Sequence, residues 1–121
     1  PCSCDVRRPS RGPTMRMPGS PEMLYVITGK DAPGSLARRR AVRAEHLARM
    51  RALSETGRVV VAGPCPAVDS ADPGDAGFTG SVIIAEFPSL EVAQEWLAGD
   101  PYLTEGVFES YEVRPFIKVL P

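Results

Sequence analysis

Histidine, tryptophan and cysteine are scarce in this 121-residue chain, at one, one and three residues. Three cysteines are an odd count and too few for a disulfide framework, and Cys2-Ser-Cys4 has no second ligand pair near it. One histidine does not complete a usual zinc site, so no metal is expected. An excess of charge of either sign is also missing. The net charge of −1 gives no reason to expect nucleic acid or a membrane surface as partner. No apolar run approaches the roughly 20 residues of a membrane-spanning helix, and the N-terminus lacks the apolar region of a signal peptide. A single domain in a reducing, cytoplasmic setting is the default expectation. Its hydrophobic fraction of 43 % and charged fraction of 24 % are ordinary for a globular protein with a modest core.

Two regions differ in character. Residues 1–22 hold five of the thirteen prolines and four arginines, with almost no periodicity. Such a segment buries too little apolar surface to offset its ordering entropy, and it is expected to be a disordered N-terminal extension. Residues 23–121 are expected to fold. Met23 opens a short β-favouring run, 23–28, closed by Gly29-Lys30-Asp31 and Pro33-Gly34. Ser35 is placed to cap a helix over 36–55, stopped by Gly57. Strands follow at 58–62 and 81–87, separated by a loop over 64–80 rich in Pro, Gly, Asp and Ser. Ser89 starts a second helix through Ala98, Asp100-Pro101 begins a further helical turn, and 107–119 is a last strand with Pro115 marking an edge or a bend. The order β-α-β-β-α-β is the ferredoxin-like arrangement, an α+β fold. Leu24 to Ile27, Val59 to Val61 and Val82 to Ala85 are apolar on both faces, whereas two helices cover only one face of a four-stranded sheet. A second copy of the sheet is the simplest cover, which predicts a homodimer.

The single histidine lies inside the first helix. At 100° per residue, Val42, Leu53, His46, Met50, Leu36 and Leu47 fall within an arc of about 140°, so His46 points inward. Either it is a core histidine satisfied by hydrogen bonds, or it does proton chemistry near neutral pH. Arg43 is one turn earlier, about 60° away, and Arg39 lies about 20° away, two turns back. A guanidinium beside an inward imidazole makes an anion site, unless both arginines reach past the apolar face to water. Asp100 before Pro101 reads as an N-cap, or as a carboxylate that orients His46. Tyr102 either packs in the core or presents its phenol to the same cleft. Trp96 reads as core. Asp69, Ser70 and Phe78 in the 64–80 loop are expected to close over a ligand.

These residues carry a family resemblance. Met23-Leu-Tyr-Val-Ile, Arg43-Ala-Glu-His46-Leu-Ala-Arg-Met, and the stretch from Gly57-Arg-Val-Val-Val to Asp69 resemble successive blocks of the YCII-related (YciI-like) family. So do Asp72-Pro-Gly-Asp-Ala-Gly-Phe-Thr-Gly-Ser81, Ile84-Ala-Glu-Phe to Trp96, Asp100-Pro-Tyr102 and Arg114-Pro-Phe116. The resemblance covers Met23 to about Leu120 and is strongest to the stand-alone members. It implies a dimeric α+β barrel related to the muconolactone isomerase fold, and a His–Asp pair at His46 and Asp100. It also implies chemistry without metal or organic cofactor, as in a dehydrochlorinase relative that acts on a chlorinated hydroxyhydroquinone.

Two functions compete at this point. In the first, the protein is a cofactor-independent lyase or isomerase acting on a small anionic or aromatic-derived metabolite. His46 moves a proton, Asp100 orients it, and Arg43, Ser70, Phe78 and Tyr102 bind the substrate. In the second, the same cleft serves a non-catalytic small-molecule-binding or regulatory dimer. A purely structural module has no need of inward polar residues.

Overall fold

Backbone pairing gathers the apolar runs into one antiparallel sheet. The computed structural model describes residues 23–121, so the expected disordered extension, 1–22, lies outside the described residues. The elements are β1 (Met23–Asp31), α1 (Leu36–Glu55), β2 (Val59–Pro66), β3 (Phe78–Phe87), α2 (Leu90–Ala98), α3 (Pro101–Thr104) and β4 (Phe108–Phe116). The sheet order is β2-β3-β1-β4 with every neighbouring pair antiparallel, which is the α+β ferredoxin-like topology expected. No described helix is long and apolar enough to cross a membrane.

Alternation along the central strands decides what is buried. Tyr25 and Ile27 on β1 pair with Ala85 and Ile83 on β3, and all four are buried. Met50 and Leu53 of α1 and Ala93 and Leu97 of α2 join them in one core with Phe87, Val107 and Phe108. The intervening positions Leu24, Val26, Val82 and Ile84 are half-buried, and the two-residue period of a strand places them on the other face.

Several boundaries move because sheet pairing outranks local composition. β1 continues to Asp31 because Gly29 and Lys30 pair with Ser81 and Gly80 on one side and Tyr111 and Ser110 on the other. Gly29 is required there by packing, since a Cβ would lie 2.5 Å from the Phe108 ring. β2 runs through Pro64 to Pro66, and β3 begins at Phe78. Prolines are tolerated because β2 is an edge strand. The expected 64–80 loop therefore shrinks to 67–77. It is closed by its own Ala67 N–H donating to Gly77 O at 2.8 Å and by a 3₁₀ turn at Gly74–Ala76. β4 ends at Phe116, short of the expected 119, with Pro115 on the other edge strand opposite Tyr25.

Candidate active site

His46 and Asp100 meet where α1 passes the start of α3. α2 stops at Gly99, Asp100 takes the N-cap position and Pro101 the first helical position, so the carboxylate is held facing α1. His46 Nδ1 lies 2.9 Å from Asp100 Oδ2 and 3.1 Å from Oδ1. The Tyr102 amide donates to Oδ2 at 3.0 Å, and Arg49 Nη1 donates to Oδ1 at 2.9 Å. The two alternative readings of Asp100, cap and histidine partner, are thus both realised by one carboxylate. Asp100 is 1 % exposed. Burial alone would raise its pKa, but the His46 contact, the Tyr102 amide and the Arg49 guanidinium outweigh it and hold the carboxyl below its ordinary value. An ionised carboxylate only accepts, so Nδ1 carries a proton toward Asp100, and the tautomer this selects is the one whose lone pair is on Nε2.

A column of stacked groups continues from the imidazole. The Tyr102 ring lies flat on His46, with centroids 3.9 Å apart and planes 9° from parallel. The Arg39 guanidinium sits 4.7 Å from the Tyr102 centroid and 5.0 Å from that of Phe78. Arg39 is buried rather than extended to water. It donates from Nε and Nη2 to the two Asp31 oxygens at 2.8 and 2.9 Å, and from Nη2 to Ser81 Oγ at 2.9 Å and Gly80 O at 3.2 Å. Burial raises the Tyr102 pKa against the opposing pull of Arg39 and Arg43. The phenol is therefore a neutral O–H donor at physiological pH.

Beside this column a cavity of about 400 Å³ opens between α1 and strands β2 and β3. His46, Tyr102, Arg43 and Phe78 line it, together with Met50 and Ile83 from the core side. Of the residues expected at the site, Ser70 is not brought there. With pairing continuing to Pro66 and Phe78, Ser70 sits exposed in the shortened loop, its Oγ accepting from the Asp72 amide at 3.1 Å. Asp69 is likewise exposed there, and neither residue lines the cavity. Arg49 is the residue that sequence reasoning missed. Besides Asp100, it donates to Trp96 O at 2.7 Å and lies 4.5 Å over the half-buried Trp96 ring. The signal was its spacing of three from His46, which puts both on one helical face. Among the described residues no cluster of three or more His, Cys, Asp or Glu side chains is arranged to hold a metal ion.

The YCII-related domain matches residues 23–117. The chain belongs to the YCII-related family. Protein YciI of Escherichia coli is 58 % identical over 97 residues, covering 80 % of this chain and 99 % of that protein. An uncharacterized protein of Haemophilus influenzae is 48 % identical over the same shares. Among solved structures of this fold, the chain is similar to the 5-chloro-2-hydroxyhydroquinone dehydrochlorinase of Burkholderia phenoliruptrix AC1100. That enzyme is in complex with 2,5-dihydroxybenzoquinone, and the two chains share 32 % identity with a TM-score of 0.71, over 78 % of this chain and 94 % of that one. This YCII-related chain thus shares its fold with an enzyme acting on a small oxygenated ring, and it carries a buried His–Asp pair beside a cavity.

Proposed function

We propose that the protein is a proton-transfer enzyme of the lyase or isomerase type acting on a small anionic or aromatic-derived metabolite. The observation that carries this reading is the 2.9 Å contact between His46 Nδ1 and the buried Asp100, at the wall of a cavity that also holds Arg43 and Tyr102. His46 Nε2 takes a proton from a carbon next to a carbonyl of the substrate. The electron pair released moves toward the carbonyl oxygen, where the Tyr102 hydroxyl and the Arg43 guanidinium stabilise the developing charge. The enolate-like species then either expels a leaving group, which makes the reaction an elimination, or recovers the proton at another carbon, which makes it an isomerisation. Asp100 does not itself take the proton. It fixes the tautomer and favours the imidazolium that forms. The dehydrochlorinase supports a ring-sized substrate of this kind, and Phe78 supplies an apolar wall for it.

Turnover screening over halogenated and hydroxylated hydroquinones, quinols and small oxo-acids tests the proposal. His46→Gln should keep ligand binding and lower turnover by about 100-fold or more, the usual size of a general-base effect. Asp100→Asn should give a smaller loss, because the base remains but its orientation weakens. Full turnover in His46→Gln would overturn the assignment. Ligands that bind without reacting would leave the second reading, a non-catalytic binding or regulatory dimer.

A further inference from the structure

Four arginines, Arg39, Arg40, Arg43 and Arg51, line the cavity, and no aspartate or glutamate does. Two of the four are answered by carboxylates, Arg39 by Asp31 at 2.8 Å and Arg40 by Asp75 at 3.4 Å. Arg43 and Arg51 have no ion-pair partner among the described residues. They stand eight positions apart on α1, about 12 Å along its axis at 1.5 Å per residue. Arg43 is one turn before His46, and its charge already acts on the Tyr102 phenol. Arg51 lies toward the other end of the helix, and Ser54, one turn beyond it, lines the same wall. Between the two cations that wall is apolar, with Leu47 and Met50 on the helix and Val59 and Ile83 on the strands. Both guanidinia are exposed at the mouth of the cavity; a ligand with one charge would answer one of them, and a second anionic group on the same ligand would answer the other with a charge-assisted hydrogen bond.

We propose that the site takes an elongated dianion. One anionic oxygen rests on Arg43 and Tyr102 beside His46. A second, carboxylate-like group at the far end rests on Arg51 and Ser54, and an apolar or aromatic body spans the middle. The inference rests on reading the cavity as the ligand site and adds the charge count of the ligand and the residue that selects for it. Arg51 touches no reacting atom; it determines specificity.

The test uses the full chain and two matched pairs of probes, benzoate with terephthalate and biphenyl-4-carboxylate with biphenyl-4,4′-dicarboxylate. Affinities come from calorimetric titration. Occupancy comes from the imidazole NMR signals, which need no assignment because His46 is the only histidine. At least one dicarboxylate should bind about tenfold or more tightly than its partner, the scale of one added charge-assisted hydrogen bond. Arg51→Gln should erase that preference and leave the monocarboxylate affinity unchanged, while Arg43→Gln should weaken both. Arg51 is exposed on the helix and glutamine is a good helix former, so the variant should fold, with circular dichroism as the control. Equal affinities within both pairs, or a preference that survives in Arg51→Gln, would overturn the dianion. If monocarboxylates shift the His46 signals while Arg51 proves silent, the anion site beside His46 stands and only this inference falls. If none of the four probes shifts them, both fall.

Discussion

Asp100 joins three elements of the site, accepting from His46, Arg49 and the Tyr102 amide while nearly sealed from solvent. Asp100→Asn keeps the size but not the charge, and should cost about 1–3 kcal/mol of stability at neutral pH, the range for a lost buried hydrogen bond to charged groups. Its folded pKa is lowered, so this contribution is present above the unfolded value of about 3.9 and is lost as pH falls through the lower folded value. Urea unfolding at pH 7 and pH 3 should therefore show the gap between wild type and Asp100→Asn closing at the acidic pH. A gap of constant size would mean that Asp100 is not ionised in the fold. Tyr102 behaves oppositely. Its raised pKa means that the neutral phenol favours the folded state below the unfolded value of about 10, and that this stability is lost as pH rises through the folded value. Ultraviolet titration should show a late-ionising component that Tyr102→Phe removes.

The two long helices begin with the same residue type used in different ways. Ser89 at the start of α2 accepts from the Val92 amide at 3.2 Å, so Ser89→Ala should cost about 1 kcal/mol, the usual value of an N-cap. Ser35 stands at the N-cap of α1 but makes no side-chain cap bond. Ser35→Ala should cost less than Ser89→Ala, and the order of the two thermal midpoints measures this directly. α1 does not need that bond. It is held from its middle by Arg39 on β1 and β3, His46 on α3, and Met50 and Leu53 in the core. Its helical span was legible because apolar spacing and flanking breakers agree over 20 residues. The strand ends were not, because Gly29, Pro64 and Pro66 read as breakers and are kept in the sheet by partners far away in sequence.

Both helices lie over one face of the sheet, and the other face carries Leu24, Val26, Val82 and Ile84 half-buried, with Val61, opposite Ile84 on the edge strand, at 55 % exposure. A second copy meeting this face would cover it, and the expected state in solution is a homodimer closed sheet to sheet. Sedimentation equilibrium at micromolar concentration should give twice the chain mass, and Ile84→Lys should give a folded monomer. A wild-type chain that sediments as a monomer would refute the dimer.

Pattern in the sequence alone determined the βαββαβ order, the span of α1 and the inward direction of His46, since each depends on local periodicity and on breakers near in sequence. It also brought out Asp100 and Tyr102, because a carboxylate before proline at a helix start is a local signal. It did not determine which arginine serves the pair. Arg43 and Arg49 each stand three residues from His46, one on either side, and helical geometry treats them alike. Only the packing of α1 against α2 and α3 decided between them. It carried Trp96 and Asp100 under Arg49, left Arg43 on the cavity wall, and turned Arg39 inward onto Asp31. Which of three cations is buried, shared or left facing the cavity depends on where distant carboxylates arrive, and that is a property of the folded chain.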